Sequence, residues 1–417
     1  MGGGGGFLPP GLNFLVSLSF LFLPVMLTMF RRGIRVVRLL PEESFKRFTS
    51  SVASIFPPEA TPPPPGALPA ARTVFDDPHL PPALSTPCSE ASLLAESLAR
   101  LIVTQTTCDS LLKNGFAVSN VLHGGGDDNN NSKVKSTLIR LRDDIDNLHA
   151  RGGFHENSTH LAKPGEDGKQ ARVAKRGVYE AELADDATRI HAPFLYQFAR
   201  EAHALNSLFG VYCPSLNLKS RGISAKVQRT AAPPPDAPAD HHFPMHFDTA
   251  EGVDERVLTC LVYLSDDDVE GGELNLMPYP QHGEQTITPS LGTAVLFSSR
   301  RMLHATMPIR SGVRRLLTFW LWAQDDGGGV PKAPAPPSLS DEDAVREYLC
   351  HPALYRHMLK LHFADAWRAG LLTSHSNSDV LVAMHDKEVA LLEKVLGQYR
   401  KTFADMGPNG LNNVPWF

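Results

Sequence analysis

Two stretches of the 417-residue chain decide its fold: RVLTCLVYLSDDDVEGGELNLMP at 256–278 and TPSLGTAVLFSSRRMLHATMPIRSGVRRLLTFWLW at 288–322. Residues 257–264 form an apolar run rich in strand-forming side chains, and acidic turn residues follow at 266–268. The run is too short for a free-standing helix and therefore predicts a strand. The same signals predict further strands at 273–277, 293–297 and 316–322. Short strands separated by turns indicate a mainly β fold, a barrel or a sandwich.

A possible metal-binding set lies next to these strands. His246, Phe247 and Asp248 precede the first stretch, and His304 lies in the second. Two imidazoles and one carboxylate are the ligands of a facial triad, which holds one face of a non-haem Fe(II) and leaves the other positions open. Because residues two apart on a strand point to the same side, we expect His246 and Asp248 to reach one ion while Phe247 packs away. The alternative is a hydrogen-bonded core cluster without metal.

A guanidinium follows the second histidine. Arg314 lies ten residues after His304, and its planar fork suits the far carboxylate of 2-oxoglutarate because it pairs two oxygens at once. Arg315 could take the same role, but neighbouring residues on a strand face opposite sides. The spacing from His304 favours Arg314.

Together these residues resemble the catalytic domain of prolyl 4-hydroxylase-type 2-oxoglutarate oxygenases. The likeness is to the hypoxia-type branch, with a strand RxxTCxxYL, a Gly-Gly pair and R-x-x-x-T-x-W after the second histidine. Collagen-type members carry lysine at the position of Arg314, so the arginine favours the hypoxia-type branch. The likeness is good over 220–323 and faint over 108–220.

The resemblance implies a double-stranded β-helix (jelly-roll) core with flanking helices. It implies that Fe(II) is held by His246, Asp248 and His304. It further implies that Arg314 binds the 5-carboxylate of 2-oxoglutarate, and that three other residues line this pocket: Tyr263, Thr318 and Trp320. The alternative for Tyr263 is that it is an ordinary aromatic residue of the core and does not contact 2-oxoglutarate.

The expected activity is an Fe(II)- and 2-oxoglutarate-dependent dioxygenase reaction that consumes O2, uses ascorbate and hydroxylates prolyl residues in a protein or peptide substrate. Two alternatives stay open. One is the same chemistry on another residue type or on a small molecule, and the other is a non-catalytic oxygenase-like binding module. We expect substrate specificity to come from the loops at 231–242 and 279–285.

Composition divides the rest of the chain. Residues 88–220 are predicted to be the helical N-terminal part of the oxygenase region, with helices at 89–113, 133–151 and 193–209, before the catalytic domain at 221–325. A helical extension at 339–417 carries the apolar stripe Val389, Leu392, Leu396, Tyr399 and Phe403. We interpret this stripe as the face by which a helix packs on the barrel. The alternative is a surface that binds a partner or forms a dimer.

The amino terminus, residues 1–40, is predicted to be a hydrophobic anchor or targeting segment, followed by a proline-rich linker at 41–87. Residues 12–30 carry no charge and are about long enough to cross a bilayer. Arginines follow at once, which predicts a membrane anchor with the catalytic domain facing the cytoplasm. The alternatives are a mitochondrial presequence beginning at Met29 and a start codon placed too early, which leaves a cytoplasmic enzyme.

Net charge and cysteine content exclude other classes. The formal charge of −5 provides no basic surface, so we expect no nucleic-acid partner. The five cysteines are scattered without a CxxC pair, which indicates neither a zinc site nor a disulfide framework.

Overall fold

The computed structural model describes residues 88–122, 128–164, 170–238, 240–266, 268–324, 332–407 and 414–417. The hydrophobic segment at 12–30 and the proline-rich linker at 41–87 lie outside the described residues. Among the helices of the described ranges, none is both long enough and apolar enough to cross a membrane.

The strands of the described chain are β1 (Phe116–Asn120), β2 (His155–Pro164), β3 (Gln170–Glu182), β4 (Leu218–Ala231), β5 (Arg256–Tyr263), β6 (Glu270–Gly271), β7 (Leu274–Met277), β8 (Gln285–Ile287), β9 (Thr293–Ser298), β10 (Leu303–Thr306), β11 (Ile309–Ser311) and β12 (Val313–Ala323). The main sheet has the order β1-β9-β5-β12-β4-β3-β2, and smaller sheets have the orders β10-β7-β8 and β11-β6. All pairs are antiparallel. From β5 onward the chain alternates between the main and smaller sheets, which is the double-stranded β-helix expected from the sequence. The four predicted strands are confirmed as β5, β7, β9 and β12.

Strand β12 lies at the centre of the main sheet and is buried along nearly its whole length. Leu317, Phe319 and Leu321 belong to the hydrophobic cluster that includes the N-terminal helices. Alternate residues, including Leu316, face the barrel interior and its separate cluster. Burial on both faces explains why residues 316–323 of this strand are almost all apolar.

The helices on the outer face of the main sheet are α1 (Cys88–Ile102), α2 (Gln105–Asn114), α3 (Asp128–Ala150), α4 (Asp186–His191), α5 (Pro193–Glu201) and α6 (Ala204–Tyr212). The apolar stripe of α3 is fully buried, as its periodicity predicts: Val134, Leu138, Leu141, Ile145 and Leu148. The ring of Phe198 on α5 lies 6.1 Å from that of Phe319, edge to face. These helices therefore cover the side of the sheet that faces away from the barrel.

Three parts of the prediction for 88–220 are wrong. The helix predicted at 89–113 is two helices, because Thr104 forms a capping box with Thr107 that begins α2. The helix predicted at 193–209 is also two, α5 and α6. The region is not only helical, since β1, β2 and β3 belong to the main sheet. Strand β2 (HENSTHLAKP) has few apolar side chains, so hydrophobic alternation could not reveal it.

The C-terminal extension consists of α7 (Glu342–Cys350), α8 (Pro352–His362), α9 (Ala364–Ser374), α10 (Ser378–Leu396) and α11 (Arg400–Asp405). Its buried side chains share one hydrophobic cluster with the barrel interior, and four residues of the predicted stripe are in it: Leu392, Leu396, Tyr399 and Phe403. The extension therefore packs on the barrel.

The loop that we expected to select substrate at 279–285 lies under this extension. The hydroxyl of Tyr279 donates to the carbonyl of Phe403 at 2.8 Å, and Trp416 donates to Gln281 at 2.9 Å. Both Tyr279 and Gln281 are buried. These contacts assign the loop to core packing rather than to substrate contact.

Candidate metal centre and 2-oxoglutarate pocket

The three predicted metal ligands come together at the β10 edge of the three-stranded sheet. Ligand atoms of His246, Asp248 and His304 all lie within 4.8 Å of one another. Each histidine Nε2 is 3.7 Å from Asp248 Oδ1. Bonds from nitrogen or oxygen to a transition-metal ion are about 2.0–2.2 Å long, so atoms at this separation can share one ion. The geometry favours a metal centre over a closed cluster, because the three ligand atoms are too far apart for direct hydrogen bonds.

The segment that carries His246 and Asp248 is not a strand, contrary to the prediction. It makes a single bridge, in which His246 and His304 exchange backbone hydrogen bonds of 2.9 and 3.1 Å. Pro244 has no backbone N–H to continue the ladder. Phe247 nevertheless packs away from the ligands, against Trp367 of α9. His246 and Asp248 therefore face the metal centre and Phe247 faces away from it, although no regular strand imposes this alternation.

Both imidazoles are oriented by backbone carbonyls. Nδ1 of His246 lies 2.9 Å from the carbonyl of Pro244, and Nδ1 of His304 lies 3.0 Å from that of Met302. Since a carbonyl only accepts, each Nδ1 carries the proton and each Nε2 presents a lone pair. Burial, with the neighbouring His304, lowers the pKa of His246 to about 3. His246 is therefore neutral near pH 7, as a metal ligand must be.

Asp248 is held by two hydrogen bonds to the same oxygen. Thr259 Oγ1 donates to Asp248 Oδ2 at 2.5 Å, and Trp320 Nε1 donates to it at 3.1 Å. Oδ1 is left facing the histidines. Burial acts to raise the pKa of Asp248, but the two histidines and the Thr259 hydrogen bond outweigh it and lower that pKa to about 2. Asp248 is thus a carboxylate with one oxygen available to a cation.

Two residues support Asp248 in a role that the sequence did not predict. Trp320, expected to line the 2-oxoglutarate pocket, orients the metal ligand Asp248. The centroid of its ring is 4.9 Å from Lys226 Nζ and 5.1 Å from the Arg256 guanidinium. Thr259 was missed, although it is the threonine of the RxxTC motif. Its register partner on β12 is Trp320, and that pairing could have identified it.

Arg314 and Tyr263 form a buried site with unused hydrogen-bonding groups. Arg314 is 3 % exposed and Tyr263 is fully buried, with the guanidinium 5.9 Å from the ring centroid. Among the described residues, neither Arg314 Nε nor the Tyr263 hydroxyl makes a hydrogen bond of good geometry, although the two side chains interact with each other. Burial lowers the pKa of Arg314, which Tyr263 partly offsets. A buried cation without a carboxylate is costly, so the pocket fits an anionic ligand. Thr318, four residues after Arg314, is on the same face of β12 and also buried.

The Gly271-Gly272 pair lets the chain pass close to this pocket. Both glycines have positive φ, at 80° and 70°. A Cβ on Gly271 would lie 2.2 Å from the carbonyl oxygen of Pro308, and one on Gly272 would lie 3.2 Å from Cδ of Arg314. The pair is therefore required by backbone conformation and by space.

Arg315 faces the other way, as expected from strand alternation. Its guanidinium pairs with Asp146 of α3 at 2.8 Å and with Asp266 at 3.3 Å. It ties α3 to the main sheet, and only Arg314 of the two faces the barrel interior.

Comparison with known proteins agrees with this site. Residues 236–322 match the model of the 2OG-Fe(II) oxygenase superfamily, and this segment contains the three metal ligands and Arg314. The segment is a 2-oxoglutarate- and Fe(II)-dependent oxygenase domain. A search of curated proteins gives no match.

Solved structures show the same fold. A prolyl 4-hydroxylase from Phytophthora capsici aligns with a TM-score of 0.55 and 22 % identity, over 75 % of this chain and 95 % of that one. A Trichoplax adhaerens prolyl hydroxylase, solved with a hypoxia inducible factor peptide, aligns with a TM-score of 0.40 and 20 % identity, over 56 % and 92 %. At 22 % identity, the similarity to the Phytophthora capsici enzyme establishes the fold.

Replacement of Asp248 tests the metal centre. Asp248→Ala should abolish Fe(II) binding, measured as iron content after anaerobic loading, because the only anionic ligand is removed. Asp143→Ala, on the exposed face of α3, is the matched control and should bind iron as the wild type does. Wild-type iron content in Asp248→Ala would refute the triad.

Replacement of the two arginines tests the pocket. Arg314→Ala should raise the KM for 2-oxoglutarate at least about tenfold with iron binding intact, since a hydrogen bond to a charged group contributes about 1.5–3 kcal/mol. Arg314→Lys should retain part of the affinity as a point charge. Arg315→Ala should instead lower the unfolding temperature and leave KM unchanged. The reverse pattern would mean that the assigned strand register is wrong.

Proposed function

We propose that this oxygenase hydroxylates prolyl residues in a protein or peptide substrate, with Fe(II), 2-oxoglutarate, O2 and ascorbate. The observation that carries the oxygenase part is a buried arginine with no carboxylate partner in the described chain, in the same barrel as a His-Asp-His metal centre. One site suits a divalent cation and the other suits a carboxylate. A small ligand that bridges them needs a chelating end and an acidic end, which 2-oxoglutarate has.

The chain's own residues bind and orient the co-substrate. When bound, Fe(II) supplies the activation of O2 through coordination positions that the three protein ligands leave open. Arg314 and Tyr263 fix the far carboxylate, so the keto-acid end is directed to the metal centre. Leu261 and Leu316 are buried apolar residues on the same face of the sheet. They keep water from the charged contacts, which strengthens them.

Prolyl residues are the proposed target for two reasons. The residue pattern from 256 to 322 resembles prolyl hydroxylases, and the Phytophthora capsici structure with the same fold is one. The complete metal and acid sites favour an enzyme over a non-catalytic binding module. Another residue type or a small molecule remains the second candidate substrate.

Turnover can be separated from substrate identity in one experiment. Iron-loaded protein with 2-oxoglutarate and ascorbate should convert 2-oxoglutarate to succinate, and His304→Ala should not. Proline-containing peptides or a lysate are then searched by mass spectrometry for residues that gain one oxygen atom. Oxygen on proline supports the proposal, and oxygen only on other residues supports the second candidate. Absence of succinate from the wild type would favour the binding module.

We propose that residues 12–30 anchor the enzyme in a membrane with the catalytic domain on the cytoplasmic side. The support is an uncharged apolar segment followed by arginines. The full chain should stay with membranes after an alkaline carbonate wash, and deletion of residues 1–40 should release active enzyme. A mature amino terminus beyond about residue 40 in mitochondria would support the presequence instead. If the full-length chain is found in the cytosol, that result would support the alternative of a start codon placed too early.

A further inference from the structure

Phe247, between two metal ligands in sequence, is enclosed by two helices of the C-terminal extension. The guanidinium of Arg356 on α8 lies 4.3 Å from the centre of the Phe247 ring. The Trp367 ring on α9 lies 6.1 Å from it, inclined by 51°. A cation over an aromatic face and an inclined aromatic pair are both attractive. The residue that joins His246 to Asp248 is therefore held by the extension.

These contacts continue into the rest of the extension. Lys360, one turn after Arg356 on α8, places Nζ 3.5 Å from the centre of the Trp367 ring. The same Nζ lies 3.4 Å from a carboxylate oxygen of Glu388 on α10. Arg356, Phe247, Trp367 and Lys360 thus form a series in which two neighbouring rings lie between two cations. The series connects three helices to the metal centre.

Helix α9 also contacts the chain just before His246. A Cβ on Gly370 would lie 3.2 Å from Cβ of Pro244, so the helix and this segment are in close contact. Nε2 of His242 lies 2.9 Å from the Thr373 hydroxyl. The extension therefore covers several successive residues of this segment.

The opposite side of the segment is fixed by backbone hydrogen bonds. His246 pairs with His304 of β10, and the amide of Thr306 donates to the carbonyl of Phe243 at 3.0 Å. The segment forms no regular strand of its own that would fix its position. The spacing of the ligand atoms consequently depends on β10 on one side and on α8 and α9 on the other.

We propose that the C-terminal extension sets the geometry of the metal centre, with Arg356 and Trp367 acting through Phe247 as positioning residues. The inference rests on the metal site of the proposed function but is independent of the prolyl substrate. Misplacement of one ligand weakens metal binding while the barrel stays folded. A merely structural role would lower the unfolding temperature without a change in metal affinity.

The test measures Mn(II) affinity by calorimetry, with Mn(II) in place of air-sensitive Fe(II). Arg356→Met should raise the Kd by about tenfold, the lower end of the loss that follows removal of an outer supporting residue of a metal site. Phe247→Leu should do the same, and Arg356→Lys should restore much of the affinity because the cation is kept. Arg140→Met is the matched control. It removes a similar contact, Arg140 over Phe194 at 3.7 Å, on the far side of the sheet.

Circular dichroism and thermal unfolding of the metal-free variants establish that each is folded. The inference is supported if Arg356→Met and Phe247→Leu lose affinity and Arg140→Met does not. It is overturned if either folded variant binds Mn(II) like the wild type, or if Arg140→Met loses as much. Failure of the wild type itself to bind Mn(II) would overturn the metal site, and with it the proposed function.

Discussion

The pairing of β5 with β12 is the constraint on which both halves of the site depend. It places Thr259 opposite Trp320, and these two side chains meet on one oxygen of Asp248. The same register places Tyr263 opposite Leu316, beside Arg314. A slip by one residue would turn the metal-supporting and acid-binding groups out of the barrel together. Because β12 is buried on both faces, each face requires its own side chains and the register is strongly specified.

Unpaired charge is the second organising feature. Asp248 is the anionic ligand of the metal centre, and Arg314 is a buried cation whose Nε has no hydrogen-bond partner in the described chain. Both groups lose hydration on folding without full compensation. A cation at the first site and a carboxylate at the second offset these costs. Loaded protein should therefore be more stable than empty protein, since ligands that bind only the folded state stabilise it.

The sequence predicted those features that a local pattern encodes. The apolar runs of β5 and β12, the triad and the choice of Arg314 over Arg315 could all be read from residue type and spacing. Strand β2 and the breaks between helices could not, because polar strands and capping contacts leave no periodic signal. The support of Asp248 by Thr259 depends on strand register, and that of Phe247 by Arg356 depends on tertiary packing. Neither is visible without the fold.

The hairpin of β2 and β3 shows what pattern reading leaves out around the metal-binding segment. The pairing of β2 with β3 shifts register near Gly177, whose φ is +63° and where a Cβ would lie 2.2 Å from the His241 ring. Lys175, just before it, donates to Asn157 at 2.5 Å and lies 4.6 Å from the centre of the Phe243 ring. Burial lowers the pKa of Lys175 to about 7. An irregularity in a polar hairpin thus places a buried amine close to the chain that precedes His246. The oxygenase motifs include neither strand of that hairpin, so they identify the chemistry of the site but not the residues that surround its metal-binding segment.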